Sequence, residues 1–336
     1  MRQILTLVRV AAVGSLVLVG AACGGDDDGE TAASGDRATI VVTTNVLGDV
    51  VSAVVGDLAN VEVIMPVGAD PHDFEPSVRQ AAAMEDADLL VINGANFEEG
   101  MAGIIENVES SGTPVFAFAD VVPLLDSGSE HADDEHADDE HADDEHADDE
   151  HADDEHGEFD PHLWTDPARM AIGAEGLATA AAELDGIDTG ALAERSGAYV
   201  AELAALDAEI EAMLASIPDE QRVLVTNHQS FGYFADRYGF EVVGTVIPSM
   251  TTAADASIRQ LEELADLIIE RDIPAVFAET TRSTDLAESL TDEVGREVAV
   301  VQIYTGSLGE PGSGAETYIG MMRTNAELIV DALTGA

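Results

Sequence analysis

The sequence predicts an α/β protein of two domains, each with a central parallel sheet flanked by helices, joined by one long rigid helix. Short apolar runs alternate with helical patterns in two separate stretches of the chain, which is typical of parallel sheets. One long helical pattern, residues 189–217, lies between the two stretches. A length of 336 residues and a hydrophobic content of 46% are sufficient for two cores of ordinary size.

The first stretch alternates regularly between strand and helix patterns. We place strands at 38–44, 61–65, 88–92 and 114–118, and helices at 47–55, from Ser77 onward, at 98–109 and at 167–184. Ser77 is a suitable N-cap because its hydroxyl can accept a hydrogen bond from the first turn. This stretch predicts an N-terminal domain at 38–187.

The long helical pattern ends before Pro218, and the alternation then begins again. Its apolar residues recur near helical spacing: Leu192, Tyr199, Leu203, Leu206, Ile210 and Leu214. Beyond it we place strands at 222–226, 241–246, 274–278 and 297–304, and helices at 229–238, 255–271, 284–294 and 317–333. The predicted linker helix is therefore 188–218 and the C-terminal domain is 219–336.

The N-terminus has the pattern of a secretory signal peptide at residues 1–22. Its apolar run, 10–19, is too short to span a bilayer. The run ends at Gly20-Ala21-Ala22 before Cys23, which resembles a bacterial lipobox, although that motif usually has an aliphatic residue where this chain has Gly20. We expect acylation of Cys23, a flexible tether at 23–37 and anchoring to the outer face of the cell membrane. Simple cleavage after Ala22 is the alternative.

The charge excludes nucleic acid as a partner. Formal net charge is −55, and the thirteen basic residues are all arginine. Binding to phosphates requires clustered positive charge, which this chain lacks.

Six of the nine histidines belong to an HADDE repeat within an acidic stretch, 126–158. They are His131, His136, His141, His146, His151 and His156. Repelling carboxylates and the absence of large apolar residues predict a disordered loop that collects metal ions weakly.

The other three histidines, His72, His162 and His228, each lie after a predicted strand in a segment with turn chemistry. Ligands of open α/β sheets bind beyond the carboxyl ends of the strands, so we expect these side chains to meet in the cleft between the domains. Three neutral imidazoles favour Zn²⁺ over Mn²⁺, which prefers oxygen. Glu279 follows its strand in the same way and is a candidate fourth ligand. The candidates to accept the free ring N–H groups are Asp70, Asp73, Asp160 and Asp166.

The segments GADPHDFEPS, DPHLWTDP, TNHQSFGYFADRYG and GSGAETYIGMMRTN resemble those of the zinc/manganese substrate-binding proteins of ABC transporters, the cluster A-I type. The resemblance covers the chain from Ile40 to its end. It implies capture of Zn²⁺ outside the cytoplasm, delivery to a membrane permease, and His72, His162 and His228 as ligands.

Two details of the resemblance bear on the metal. Zinc members often carry a His- and acid-rich loop before the second metal histidine, and manganese members tend to have a carboxylate at the place of His228. The family commonly has an aspartate where this chain has Gly306. The fourth position is then water, Glu279, or a group from the acidic loop.

Some of these residues also fit other functions. A zinc hydrolase could use three histidines and Glu279 as a base, but the chain has no HExxH motif and no Ser/His/Asp arrangement. A surface zinc buffer or adhesin would explain the repeat but not three placed histidines. A manganese-binding member of the same family is the nearest alternative. We expect a monomer that is not an enzyme.

Overall fold

The computed structural model describes residues 37–127 and 159–335. The predicted signal peptide, Cys23 with nearly all of its tether, and the six repeat histidines lie outside these residues. The first half contains β1 Thr39–Val42, α1 Asn45–Val55, β2 Asn60–Val63, α2 Val78–Glu85, β3 Leu89–Ile92, α3 Ala102–Ser111, β4 Val115–Ala117 and α4 Pro167–Ala181. After α5 Thr189–Leu214, the second half contains β5 Val223–Thr226, α6 Gly232–Tyr238, β6 Glu241–Thr245, α7 Ile258–Glu270, β7 Ala275–Glu279, α8 Asp285–Val294, β8 Ala299–Ile303 and α9 Tyr318–Thr334.

The described strands form two parallel four-stranded sheets, which confirms the predicted fold class. The strand orders are β2-β1-β3-β4 and β6-β5-β7-β8, so the two halves share one topology. In each sheet the strand order reverses next to the first strand of the half, between β1 and β3 and between β5 and β7. The crevice beyond the carboxyl ends of such strands is where open α/β sheets bind ligands.

Helices cover both faces of both sheets, and the middle layer is shared. One apolar cluster contains buried residues of α1, α4, α5 and α9 together with residues of both sheets. The outer faces have separate clusters, formed with α2 and α3 on the first sheet and with α7 and α8 on the second. Because the shared layer is close-packed, movement of one sheet against the other would break apolar contacts that cannot be remade elsewhere.

The long helix α5 has 26 residues, or about 39 Å at the usual rise per residue. Asp188 caps it by accepting hydrogen bonds from the backbone of Gly190 and Ala191, both at 3.0 Å. The six apolar residues whose spacing predicted the helix are all buried. The helix ends at Leu214, three residues earlier than predicted.

Two of the helices before the site begin later than the sequence patterns predicted. Helix α6 begins at Gly232 and not at Gln229, because the Gln229 N–H donates to the Ser249 carbonyl at 2.9 Å. The predicted helix from residue 98 starts as a 3₁₀ turn, Glu99–Met101, before α3. In both places the segment after a strand carries a side chain of the site, His228 after β5 and Glu99 after β3.

In residues 37–127 and 159–335, none of the helices combines the length and the apolar character that a bilayer span requires.

Candidate metal centre

The structure brings His72, His162 and His228 together at the carboxyl edges of the two sheets. One ring nitrogen from each lies within 4.8 Å of the others. The ring centroids are 4.9 to 5.6 Å apart, and the residues are only 5%, 1% and 2% exposed. The Nε2 atoms of His162 and His228 face each other at 3.0 Å. An ion fits between rings this close, and an organic substrate does not.

Two of the histidines lie in the same local turn. The sequence Asp-Pro-His occurs at 70–72 and again at 160–162. In each copy the aspartate Oδ1 accepts the histidine backbone N–H, at 3.0 Å for His72 and 2.9 Å for His162. An aspartate that bonds the backbone two residues later mimics a backbone turn, and proline restricts the chain between them. This turn explains how loop residues can hold fixed ring positions.

Each of the three rings has a carboxylate at its Nδ1 atom. The pairs are His72 with Glu99 at 3.3 Å, His162 with Asp160 at 2.8 Å, and His228 with Glu279 in a short contact. A carboxylate at Nδ1 keeps the proton on that nitrogen and leaves the Nε2 lone pair for a metal ion. The Glu99 side chain is 43% exposed and the other two carboxylates are buried, so the arrangement is firmest at His162 and His228.

Of the four aspartates expected to hold ring N–H groups, only Asp160 does so in the described contacts. Asp166 caps α4 by accepting from the Ala168 backbone at 2.8 Å, and Asp70 and Asp73 bind Arg282. The sequence analysis missed Glu99. The adjacent pair Glu98-Glu99 after β3 was a usable signal, but the sequence alone does not tell which of the two acids faces the site.

Glu279 is not one of the three residues that form the close group. It ends β7 and reaches the Nδ1 side of His228, whereas the opposite ring nitrogen faces His162. The expectation that Glu279 is a fourth ligand stays a prediction. In this structure its Oε1 atom contacts His228 Nδ1, on the side of the ring away from His162, and thereby orients that ring.

The charges of the site suit binding of a cation. Burial alone would raise the pKa of Glu279, but the neighbouring His228, with Thr305 and His162, lowers this pKa to about 2. Burial also lowers the pKa of His162 to about 4, although Asp160 opposes the shift. At neutral pH the carboxylate is thus charged and the His162 ring is neutral, which is the form that ligates metal ions.

Gly306 lies against the loop that carries His72. A Cβ atom added at Gly306 would lie 2.7 Å from Pro71 Cδ and 3.0 Å from its Cγ. Gly306 is not among the glycines with positive φ, so residues other than glycine can adopt its backbone conformation. The proline ring occupies the space into which a side chain at position 306 would point.

Aromatic rings close the site on one side. Phe97 contacts the rings of His72 and His162 at centroid distances of 5.1 and 5.9 Å, and Trp164 lies 5.4 Å from His162. The Trp164 indole N–H donates to the Thr305 carbonyl at 2.9 Å, so this wall connects the two halves. It excludes water and thereby strengthens electrostatic interactions at the three nitrogens.

Nearly the whole chain is similar to known metal-binding proteins. Residues 40–332 match the family model described as zinc-uptake complex component A, periplasmic. The chain is 30% identical to the manganese-binding lipoprotein MntA of Halalkalibacterium halodurans over 319 residues, covering 95% of this chain and 96% of that protein. It is also 30% identical to the zinc-binding protein TroA of Treponema pallidum over 306 residues, covering 90% of this chain and 91% of that one.

The solved structures include a similar fold. The periplasmic zinc-binding protein TroA from Treponema pallidum aligns with a TM-score of 0.75 and 29% identity, covering 88% of this chain and 99% of that chain. These comparisons confirm the resemblance inferred from the four sequence segments. The chain therefore belongs to the family of zinc-uptake complex component A, the metal-binding substrate-binding proteins of ABC transporters.

Proposed function

We propose that the protein captures Zn²⁺ outside the cytoplasm and delivers it to the membrane permease of an ABC importer, with His72, His162 and His228 as ligands. The observation that carries the proposal is the group of three buried ring nitrogens within 4.8 Å, each ring with a carboxylate at its other nitrogen. In this proposal the metal is cargo, and the carboxylates at Nδ1 raise the basicity of the ligands.

The choice of zinc over manganese follows from donor chemistry. Three imidazoles and no carboxylate form the close group, and imidazole suits Zn²⁺ whereas Mn²⁺ prefers oxygen. The names of the relatives support both metals, since MntA is described as manganese-binding and TroA as zinc-binding. Manganese is therefore the second candidate. Water completes the coordination in this proposal, because Glu279 is engaged with His228 and position 306 has no side chain.

The remaining alternatives receive less support. A hydrolase needs space for a substrate beside the metal, and rings with centroids 4.9 to 5.6 Å apart leave little. A zinc buffer or adhesin would not need carboxylates that orient three separate histidines. We accordingly propose a monomeric carrier without enzymatic activity, with domains at 38–187 and 219–336 and a linker at 188–218. Acylation at Cys23 anchors it to the outer face of the membrane.

Metal titration of the mature chain tests this function. A variant that lacks residues 130–157 should bind one Zn²⁺ tightly and Mn²⁺ more weakly, whereas the intact chain should bind further Zn²⁺ weakly through its repeat. His228→Ala should abolish the tight site in both. Tight binding that disappears with the repeat in a folded variant would contradict the proposal. Because most sites bind Zn²⁺ more tightly than Mn²⁺ whatever their biological metal, recovery of Mn²⁺ and not Zn²⁺ in protein isolated from its cell would favour the manganese alternative.

A further inference from the structure

Arg282 belongs to the second half of the chain but binds carboxylates of the first. It lies just after β7, and its Nε donates to Asp70 Oδ2 at 2.5 Å. Its Nη2 donates to Asp73 Oδ2 at 2.5 Å and to Thr252 Oγ1 at 2.6 Å. The Thr252 hydroxyl in turn donates to Asp70 Oδ2 at 2.8 Å. The loop that carries His72 is therefore tied to two loops of the opposite half.

The contact between Arg282 and Asp70 is the more buried of the two ion pairs that Arg282 forms. The Asp70 side chain is 8% exposed, that of Arg282 is 30% exposed and that of Asp73 is 48% exposed. Exposed ion pairs contribute little, whereas loss of one partner of a buried pair leaves the other charge without compensation. We therefore expect the Asp70 contact to matter more than the Asp73 contact.

Asp70 connects Arg282 directly to the position of His72. One carboxylate oxygen, Oδ1, accepts the His72 backbone N–H at 3.0 Å, and the other accepts from Arg282. Elsewhere in the same loop, the Gly68 N–H donates to Ser307 Oγ at 2.8 Å. Ser307 thus holds the loop at Gly68, whereas Arg282 holds it at Asp70, closer to His72.

The loop that carries Arg282 also contacts His228, the proposed ligand from the second half. It begins at Glu279, whose carboxylate contacts His228 Nδ1. The Thr281 hydroxyl donates to the other Glu279 oxygen at 3.4 Å, and the Arg282 N–H donates to the Glu279 carbonyl at 3.4 Å. One short segment therefore contacts the ring of His228 in the second half and, through Asp70, the backbone of His72 in the first half.

We propose that Arg282 is a positioning residue that locks the His72 loop onto the second half and so sets how long the metal stays bound. The proposal rests on the proposed function, in which His72 is a ligand. Movement of the His72 loop withdraws its ring from the metal, and that movement breaks the contact between Arg282 and Asp70. The partly buried guanidinium then loses its partner, which makes the movement slow.

The test is the rate at which zinc leaves the full-length chain. Protein loaded with one equivalent of Zn²⁺ is mixed with excess chelator, and the slow phase of release is followed. Arg282→Gln should accelerate this phase about tenfold or more, in the range seen when partners of metal ligands are removed. Arg282→Lys should recover part of the loss because it keeps the charge without the planar fork. Asp73→Asn should have a smaller effect than Arg282→Gln.

A matched control separates positioning from general loss of an ion pair. Arg271 forms a two-bond pair with Glu241 within the second half, both bonds at 3.0 Å. Arg271→Gln should leave the release rate unchanged. Added salt should accelerate release more from the natural protein than from Arg282→Gln, since screening weakens only an ion pair that is present. An ion pair that does not hold the metal loop, such as that of Arg271 with Glu241, would not produce that difference.

The outcomes distinguish the two proposals. If Arg282→Gln releases zinc at the natural rate while His228→Ala abolishes tight binding, the positioning role is wrong and the proposed function stands. If His228→Ala still binds as tightly as the natural chain, the proposed function itself is wrong. Should Arg282→Gln fail to fold, Arg282→Lys and Thr252→Val carry the test, and natural release rates in both would overturn the role of Arg282.

Discussion

The Nε2 atoms of His162 and His228 lie 3.0 Å apart, although the two residues are separated by 66 positions in the chain and belong to different halves. Each ring has a carboxylate at Nδ1, which favours the tautomer in which the facing nitrogen presents a lone pair. Two lone pairs at this distance repel each other unless a proton or a metal ion lies between them. The fold therefore holds the two rings in a position that a metal ion would stabilise.

The role of Glu279 gives the first prediction. Glu279→Gln keeps a hydrogen-bond acceptor for His228 but removes the charge that supports the ring, so Zn²⁺ affinity should fall about tenfold. Asp160→Asn should weaken binding similarly through His162. Isothermal titration measures both, with exposed Glu310→Gln as the control. If Glu279→Gln instead abolishes binding as completely as His228→Ala, Glu279 is a ligand after all.

The contact between Gly306 and Pro71 gives a second prediction. Gly306→Ala places a methyl group 2.7 Å from Pro71 Cδ, and overpacking of this kind costs about 1–3 kcal/mol. Because Pro71 precedes His72, the shift should also weaken zinc binding. Pro71→Ala removes the crowded atoms and should restore part of the stability in the double variant, which denaturant unfolding measures. Strictly additive effects would show that the two residues do not interact.

The contact between Gly306 and Pro71 also affects which metal ion a side chain at position 306 could help to bind. In the Pro71→Ala background, Gly306→Asp would add an oxygen donor near the site, and the affinity for Mn²⁺ should rise relative to Zn²⁺. In the natural background the proline obstructs the same substitution. Equal Mn²⁺ affinities in the two backgrounds would indicate that position 306 does not face the metal.

Much of the fold was predictable because its signals are local. Apolar runs and helical spacing indicated the strands and helices, and each of the three histidines outside the repeat follows a strand, which indicated one common edge. The partners of the rings were not predictable in this way. Glu99 and Glu279 are distant in sequence from His72 and His228, and their pairing depends on strand order and loop path. Asp160 was accessible to sequence analysis because it lies two residues from His162 in a turn with known geometry.

The shared apolar layer gives a third prediction. Helix α5 and its neighbours form one cluster with both sheets, so a large rotation of the halves would expose buried residues. Metal binding should therefore order loops and leave the overall dimensions unchanged. Small-angle scattering profiles of metal-free and zinc-loaded protein should superimpose. A clear compaction on binding, as in hinge closure, would contradict a rigid connection.

Glu98 gives a prediction about pH. Burial raises the pKa of this carboxyl, although the Asn93 N–H and the Thr43 hydroxyl donate to it. A pKa that is higher in the folded state favours folding as pH falls through that value, and the gain is complete below the unfolded value of about 4.3. The stability of the natural chain relative to Glu98→Gln should therefore rise as pH falls from 8 to 4.

Urea unfolding of the metal-free proteins across this range measures the difference. Subtracting the free energy of unfolding of Glu98→Gln from that of the natural chain removes the contribution of other titrating groups. Asp49 is one of them, because burial raises its pKa as well. A difference that stays constant or falls with decreasing pH would contradict the raised pKa of Glu98.

The number of imidazoles bound to the metal tests the central claim most directly. X-ray absorption at the zinc edge, on mature protein that lacks residues 130–157 and carries one equivalent of Zn²⁺, reports the ligands. We predict nitrogen and oxygen donors at about 2.0–2.1 Å, with scattering from three imidazoles that falls to two in His72→Ala. A spectrum with a single imidazole, or one that His72→Ala leaves unchanged, would contradict the three-histidine site.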